Sequence, residues 1–111
     1  MSHTIKLKKD KYKSARGGYS RLLDISCQKC QKPVLVYQKD GPGNLRRLYL
    51  DRIMSPEKLV GLQQQSIASL APLKCAGCGF VMGIPYVYEK EKRKAFRIFQ
   101  DAVIKRIRKV G

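Results

Sequence analysis

Short apolar, β-rich runs separated by polar and turn-forming residues occur in the first half of the chain, which predicts β-strands there. Residues 20–26 (SRLLDIS) are typical of a short strand, and the run 34–37 (VLVY) after Pro33 is typical of a second. Segment 39–44 (KDGPGN) is a strong turn signal, because glycine, proline and asparagine supply the backbone angles that a hairpin requires. We therefore predict that 34–37 pairs with 45–50 as a hairpin.

The last third of the chain predicts a bent strand followed by a helix. Residues 80–88 are β-rich, and Gly83 and Pro85 within them favour a bend or an edge position. After this segment, apolar residues recur every three or four positions, which is the period of an amphipathic helix. We therefore predict a basic amphipathic α-helix over 89–111. Its apolar stripe comprises Phe96, Phe99, Val103, Ile107 and Val110.

Segment 52–73 is predicted to be an insert that contains one short helix and packs over the strands. Ser55 suits the N-cap position of a helix and Pro56 suits its first turn. Gly61 weakens such a helix, and Pro72 argues against helix at the end of the segment. A substrate-binding role is an alternative for this insert, but no feature of its sequence supports it.

Positive charge dominates the composition and is concentrated at both ends of the chain. The 111 residues hold 24 Lys and Arg against 8 Asp and Glu, a formal net charge of +16. Residues 1–19 are predicted to form a basic arm, and the predicted helix 89–111 is basic as well. No apolar run approaches the ~18 residues that would suggest a membrane span, and the first residues lack the apolar segment of a secretory signal. The charge favours a polyanionic partner, with no membrane expected.

All four cysteines fall into two C-x-x-C pairs, CQKC and CAGCG. Two such turns supply the four thiolates that Zn²⁺ prefers in a tetrahedral site. Gly79 follows the second pair and suits a sharp turn, whereas Gln31 stands at the matching place after the first. The sequence therefore predicts one structural Zn²⁺, with all four cysteines as ligands: Cys27, Cys30, Cys75 and Cys78.

Four other interpretations of the cysteines stay open at this point. Two disulfides suit a secreted domain, but a reducing cytoplasm, which we expect for this chain, keeps thiols reduced. A thioredoxin-like redox site needs a single reactive C-x-x-C in a βαβ context. Iron, alone or in an iron–sulfur cluster, takes the same four ligands and is not distinguished by spacing. Free buried cysteines would not account for two matched pairs.

The paired knuckles, with a predicted hairpin after the first and a strand after the second, resemble the zinc-ribbon family over residues 22–88. This resemblance implies a small antiparallel β fold and mostly non-catalytic roles in transcription, translation and RNA handling. The predicted fold class is thus a small β-rich zinc ribbon with a short inserted helix and a C-terminal α-helix, α+β overall. Its predicted divisions are an arm (1–19), a zinc-ribbon-like domain (20–88, with insert 52–73) and a helix (89–111).

Nucleic acid, with RNA preferred over DNA, is the partner that the charge favours. The cysteine spacing does not match a C₂H₂ finger, and no helix-turn-helix is recognisable. The preference for RNA rests on similarity to small ribosome-bound zinc ribbons. We predict a structural or accessory ribonucleoprotein component, ribosome-associated and cytoplasmic, that contacts other proteins of the particle and no small-molecule substrate. The predicted phosphate contacts are Arg16, Arg21, Lys29, Lys32, Arg46, Arg47, Arg93, Arg97, Arg106 and Arg108.

Two other functions stay open for this chain, and an enzymatic function is not expected. The first alternative is a DNA-binding or transcription-complex zinc ribbon, and the second is a protein-interaction adaptor that uses the C-terminal helix. Catalysis is not expected, because the single histidine, His3, lies far from both knuckles and the acidic residues show no close pairing. A four-cysteine metal site also has no vacant position for a reacting water.

Overall fold

Two antiparallel sheets of four strands each make up residues 7–108, the part of the chain that this computed structural model describes. A short helix, α1 (Lys11–Ala15), precedes them. The strands in chain order are β1 (Ser20–Cys27), β2 (Pro33–Asp40), β3 (Arg47–Tyr49), β4 (Ile53–Ser55), β5 (Leu73–Lys74), β6 (Val81–Tyr88), β7 (Arg93–Ile98) and β8 (Val103–Ile107). The first sheet has the order β4-β2-β1-β8 and the second has the order β3-β7-β6-β5.

Residues of both sheets form one hydrophobic core. In β1, Leu23, Ile25 and Cys27 are buried at alternate positions, because successive side chains of a strand point to opposite faces. The second sheet contributes Leu48 and Met82, which have no exposed surface. Burying an aliphatic side chain of this size stabilises the fold by about 1.5–3 kcal/mol. The core therefore holds the two sheets together and fixes the end of β1, where the first cysteine lies.

The predicted β-rich antiparallel fold is confirmed, and the predicted strand 20–26 corresponds to β1. The predicted hairpin of 34–37 with 45–50 is wrong. Strand β2 pairs with β1 on one side and with β4 on the other, so neither of its edges is open to β3. Strand β3 instead pairs with β7 in the second sheet. The turn after β2 therefore carries the chain from one sheet to the other.

The predicted C-terminal helix over 89–111 is also wrong, because this region forms β7 and β8. Lys92 and Asp101 adopt positive φ angles of 51° and 58° in the turns that precede these two strands, which interrupts any continuous helix. Among the described residues α1 is the longest helix, with five residues, and no helix there is long and apolar enough to span a membrane. Val110 of the predicted apolar stripe lies outside the described residues.

Strand β6 continues through Gly83 and Pro85, where the sequence predicts a bend or an edge position. Gly83 lies so close to β7 that an added Cβ would be 2.6 Å from the carbonyl oxygen of Arg97, which explains the glycine. Pro85 pairs with Phe96 of β7, at a level that the two-residue strand β5 does not reach. A proline is tolerated here because its missing N–H faces the side without a partner strand among the described residues.

The insert 52–73 contains three 3₁₀ turns in place of the predicted short helix: Glu57–Leu59, Leu62–Gln64 and Ile67–Ser69. Gly61, with φ +83°, separates the first two turns. No side chain caps the first turn, so Ser55 does not act as the predicted N-cap. Leucine side chains of the insert nevertheless pack against the core, as the sequence predicts: Leu59, Leu62 and Leu70.

From residue 7 onward the predicted N-terminal arm is in contact with the sheets, and residues 1–6 lie outside the described part of the chain. Asp10 caps α1 by accepting hydrogen bonds from two backbone N–H groups of the helix. The ring of Tyr12 lies 3.9 Å from the guanidinium carbon of Arg93. Arg16 forms an ion pair with Glu91 in the turn between β6 and β7. The contacts of Tyr12 and Arg16 fix α1 against the second sheet.

Candidate metal centre

Each C-x-x-C pair lies in a turn of a different sheet. Cys27 is the last residue of β1, and Cys30 lies in the turn that leads to β2. Cys75 follows β5, and Cys78 lies in the turn that leads to β6. The four-cysteine cluster therefore lies where the first sheet meets the second, and an ion held there would link the two sheets directly.

The four sulfur atoms lie close enough together to share one ion. Sγ of Cys27 is 3.7 Å from Sγ of Cys78, and Sγ of Cys30 is 3.5 Å from Sγ of Cys75. All four ligand atoms lie within 4.8 Å of one another. A tetrahedron with metal–sulfur distances of about 2.3 Å has sulfur–sulfur edges of about 3.8 Å. The four cysteines are thus positioned to hold a metal ion, and all four are free thiols.

The two knuckles share one backbone geometry although their sequences differ. The N–H of Gln31 donates to the carbonyl of Cys27 at 2.7 Å, and the N–H of Gly79 donates to the carbonyl of Cys75 at 2.8 Å. Both donors have left-handed backbone angles, φ +65° for Gln31 and φ +79° for Gly79. The glycine of the second knuckle therefore adopts the expected positive φ, and the first knuckle places a glutamine in the same conformation.

The thiols of Cys75 and Cys30 have different pKa values, and hydrogen bonding contributes to the difference. The backbone N–H of Cys78, assisted by the neighbouring Cys30 thiol and the N–H of Gly77, lowers the pKa of Cys75 to about 6. The backbone N–H of Lys32 acts to lower the pKa of Cys30, but desolvation and the neighbouring thiols outweigh it and raise this pKa to about 11. The thiolate of Cys75 thus forms readily near neutral pH, and a bound cation would favour the ionised form of Cys30.

Two lysines accompany the cluster. The ammonium of Lys29 lies 5.8 Å from the centre of the Phe80 ring. The side chain of Lys32 lies across Gly77, where an added Cβ would be 2.7 Å from its Cδ. Four thiolates with one divalent ion carry a formal charge of −2. Both predicted phosphate contacts therefore lie beside the cysteine cluster, where their charge also offsets that of a metal–thiolate group.

The ten predicted phosphate contacts fall into two groups. Four arginines make specific contacts inside the molecule: Arg16 with Glu91, Arg47 with Tyr86, Arg93 with Asp51 and Arg108 with Asp24. Of these, Arg93 is buried between the rings of Tyr12 and Tyr49. The other six are exposed or half-exposed: Arg21, Lys29, Lys32, Arg46, Arg97 and Arg106.

A buried polar cluster was missed by the sequence analysis. Arg52 is 1% exposed and donates to Asp40 at 2.9 Å and to Asp10 at 2.6 Å. Gln38, which has no exposed surface, donates to the same Asp40 carboxylate at 3.0 Å. These partners lie up to 42 positions apart in the sequence. No local motif signals such a cluster, because its members meet only after the sheets have formed.

Comparison of the chain with protein-family models, with curated proteins and with solved structures found no match. The interpretation of the cysteine cluster therefore rests on its own geometry and donor set.

The two knuckles give a paired test of backbone strain. Replacing Gly79 by alanine should destabilise the fold by about 1 kcal/mol, because an L-residue is unfavourable at positive φ. Nothing lies within 4 Å of the added Cβ, so the effect would arise from the backbone alone. The matched change Gln31→Gly should stabilise the fold by a similar or smaller amount. Chemical denaturation of the metal-loaded protein measures both, and effects of the same sign would contradict the shared geometry.

Proposed function

We propose that this protein binds one structural Zn²⁺ through Cys27, Cys30, Cys75 and Cys78, and that it binds RNA as an accessory component of a cytoplasmic, ribosome-associated ribonucleoprotein. The convergence of four sulfur atoms from two sheets is the observation that supports the zinc-binding part of this proposal. Zn²⁺ suits the site because structural zinc is held by four ligands in closed tetrahedral geometry. Iron takes the same ligand set, and metal analysis distinguishes the two.

A structural role for the ion is supported by its place between the sheets. Strands β1 and β2 meet at the first knuckle, and strands β5 and β6 meet at the second. All four ligands come from the protein, so the proposed ion keeps no position for water or substrate. We therefore propose a binding protein rather than an enzyme.

The case for RNA rests on charge and its distribution. One Zn²⁺ and four thiolates would lower the formal net charge only from +16 to +14. Exposed arginines lie on separate elements: Arg46 before β3, Arg97 on β7 and Arg106 on β8. A folded RNA presents phosphates from several directions, so it suits this distribution of arginines better than a straight DNA duplex does. The adaptor alternative loses its basis, because the helix it required is absent from residues 89–108.

Binding of RNA should weaken steeply as salt rises. For about six neutralised phosphates, the logarithm of the affinity should fall against the logarithm of salt with a slope of about −4 on single strands and about −5 on duplex DNA. Fluorescence anisotropy measures these slopes. The titrations use a structured RNA, a single-stranded RNA and a duplex DNA between about 50 and about 300 mM salt.

Charge variants test where the RNA lies. The double variant R97Q/R106Q should reduce the slope by about 1.4, because each lost contact to a single strand removes about 0.7. The exposed lysine of the insert, Lys58, serves as the matched control, and K58Q should leave the slope unchanged. Tighter binding to duplex DNA than to either RNA would favour the DNA-binding alternative. No binding at low salt would contradict the proposed RNA function.

A further inference from the structure

A cavity of about 390 Å³ lies beside the turn that carries the chain from β2 to β3. Its walls come from the end of α1, the end of β2, the turn after it, and β3. The charged and aromatic residues that matter here are Arg16, Lys39, Asp40, Arg46, Arg47 and Tyr49. We refer to this cavity as the cationic pocket.

Positive charge in the cationic pocket is not balanced from within. The carboxylate of Asp40 already accepts hydrogen bonds from Arg52, Ser20 and Gln38. Within residues 7–108, Lys39, Arg46 and Arg47 form no ion pair with a carboxylate. The one cation of the pocket that does is Arg16, which pairs with Glu91. The pocket therefore has three cations in excess of its own acidic partners.

Lys39 is held in this pocket against an energetic disadvantage. It is 9% exposed, and its ammonium donates to the carbonyls of Gly41 and Pro42 at 3.1 and 3.2 Å, which leaves one of its three donors. Arg21 lies directly opposite it in the β1–β2 register, and like charges in that position are destabilising. Burial, and then the charges of Arg21, Lys105 and Arg16, lower the pKa of Lys39.

A second observation, made at Arg21, also favours an anion close to Lys39. Its Nε is buried and has no hydrogen-bond partner among the described residues. A buried donor without a partner costs about 1–3 kcal/mol in general. An anion near Lys39 would relieve the repulsion between the two cations.

Arg47 is held in place before any ligand arrives. Its Nε donates to the hydroxyl of Tyr86 at 2.8 Å and its Nη1 to the hydroxyl of Tyr49 at 3.4 Å. Its guanidinium carbon also lies 4.0 Å from the centre of the Tyr88 ring. These contacts use two of the five N–H donors of the guanidinium and leave three for a ligand. A fixed guanidinium favours an anion with several acceptor oxygens, such as a phosphate.

We propose that the cationic pocket binds a phosphate group of an RNA strand, an inference that rests on the proposed RNA-binding function. Lys39, Arg46 and Arg47 would contact the phosphate oxygens. The buried ring of Tyr49 already contacts the guanidinium groups of Arg16 and Arg93, so it is engaged with arginines and does not offer a stacking surface for a base. The pocket would thus hold the strand through its backbone, independent of base sequence.

The test compares single-stranded RNA binding by variants of the metal-loaded protein. K39M and R46M should each weaken binding at least five-fold, whereas K58M should change it less than two-fold. R46M is included because Arg46 is exposed and makes no internal ion pair among residues 7–108, so this change should not disturb folding. Oligonucleotides of equal length with and without a 5′-phosphate, labelled at the 3′ end, distinguish a terminal phosphate from internal ones. A preference of three-fold or more for the phosphorylated strand would identify the terminal group.

A second measurement uses inorganic phosphate alone and separates this proposal from the proposed function. Millimolar phosphate should raise the melting temperature of the wild-type protein more than equimolar chloride does, and this rise should disappear in K39M. If wild-type protein binds RNA and neither K39M nor R46M weakens it, the pocket proposal is overturned while RNA binding stands. If RNA does not bind but phosphate stabilises the wild type and not K39M, the proposed RNA function fails while an anion pocket remains. Absence of both effects would overturn both proposals.

Discussion

Replacing Cys27 by serine should abolish metal binding and leave the protein unfolded at 25 °C. Cys27 is fully buried at the end of β1, and its sulfur lies 3.7 Å from that of Cys78 in the other sheet. Structural Zn²⁺ sites contribute an apparent 10–16 kcal/mol or so in small domains at neutral pH. The total stability of a domain is about 5–15 kcal/mol, so loss of the ion removes most or all of it. Circular dichroism, together with zinc content after dialysis, measures the outcome.

Cys78 provides a matched control because it is the exposed member of the cluster. A histidine there has room for its larger ring, and three cysteines with one histidine form a common structural zinc site. We expect C78H to bind zinc and fold, with a lower affinity measured by chelator competition, and C78S to lose the ion. A C27S variant that melts like the wild type would show that the cluster does not hold the sheets together.

Replacing Arg52 by methionine should destabilise the fold by about 3–5 kcal/mol, the second-largest effect that we expect. The guanidinium of Arg52 is buried and bonds the carboxylates of Asp40 and Asp10. Methionine keeps an unbranched apolar stem but leaves Asp40, whose side chain is 4% exposed, as a buried charge without its cation. Urea denaturation of the metal-loaded protein at pH 7 measures the difference in unfolding free energy.

Two further variants separate the buried charge from general loss of packing. R52M/D40N removes both charges and should recover a large part of the stability, because breaking one side of a buried pair is worse than removing both. R108M breaks an ion pair whose partner, Asp24, is 43% exposed, and should change the stability by about 0–1 kcal/mol. Equal effects of R52M and R108M would contradict the importance of burial.

The effect of R52M should also depend on pH. Burial acts to raise the pKa of Asp40, but hydrogen bonds from Ser20, Gln38 and Arg52 outweigh it and lower this pKa below its usual value of 3.8. Such a carboxylate stabilises the fold above the unfolded-state pKa and loses that contribution as pH falls through the folded-state pKa. Without Arg52, Asp40 should accept a proton at a higher pH. The difference between wild type and R52M should therefore narrow as pH falls from 7 toward 4.

The parts of the fold that were predicted correctly have strong local signals. Apolar residues at alternate positions from Leu23 to Cys27 mark β1, and two C-x-x-C pairs mark the knuckles. Both signals arise from neighbouring residues and need no knowledge of distant partners. Even the positive φ after the second knuckle follows from local sequence, because Gly79 adopts such an angle easily.

The errors arise where distant pairing decides the structure. Phe96, Phe99, Val103 and Ile107 have helical spacing, yet Phe96 pairs with Leu48 of β3 and Ile107 pairs with Leu23 of β1. Those pairings place β7 and β8 in different sheets, which a count of apolar spacing cannot anticipate. Long-range strand pairing therefore overrode the local helical pattern.

The fold also decides which basic side chains are free to contact a ligand. Arg93 was predicted to contact phosphate, but it bonds Asp51, 42 positions away, and lies between two tyrosine rings. Lys39 was not predicted as a contact, although the fold buries it opposite Arg21 with no acidic partner among residues 7–108. A basic composition predicts a polyanionic partner, but only the structure separates the cations that hold the fold from those available to a ligand.

Native mass spectrometry combined with metal analysis tests the central claim most directly. The claim is that one zinc ion joins the two sheets through Cys27, Cys30, Cys75 and Cys78. We expect each chain to carry one zinc, and removal of the zinc by a chelator to unfold the protein. A folded chain that carries two disulfides and no metal, or iron in place of zinc, would contradict it.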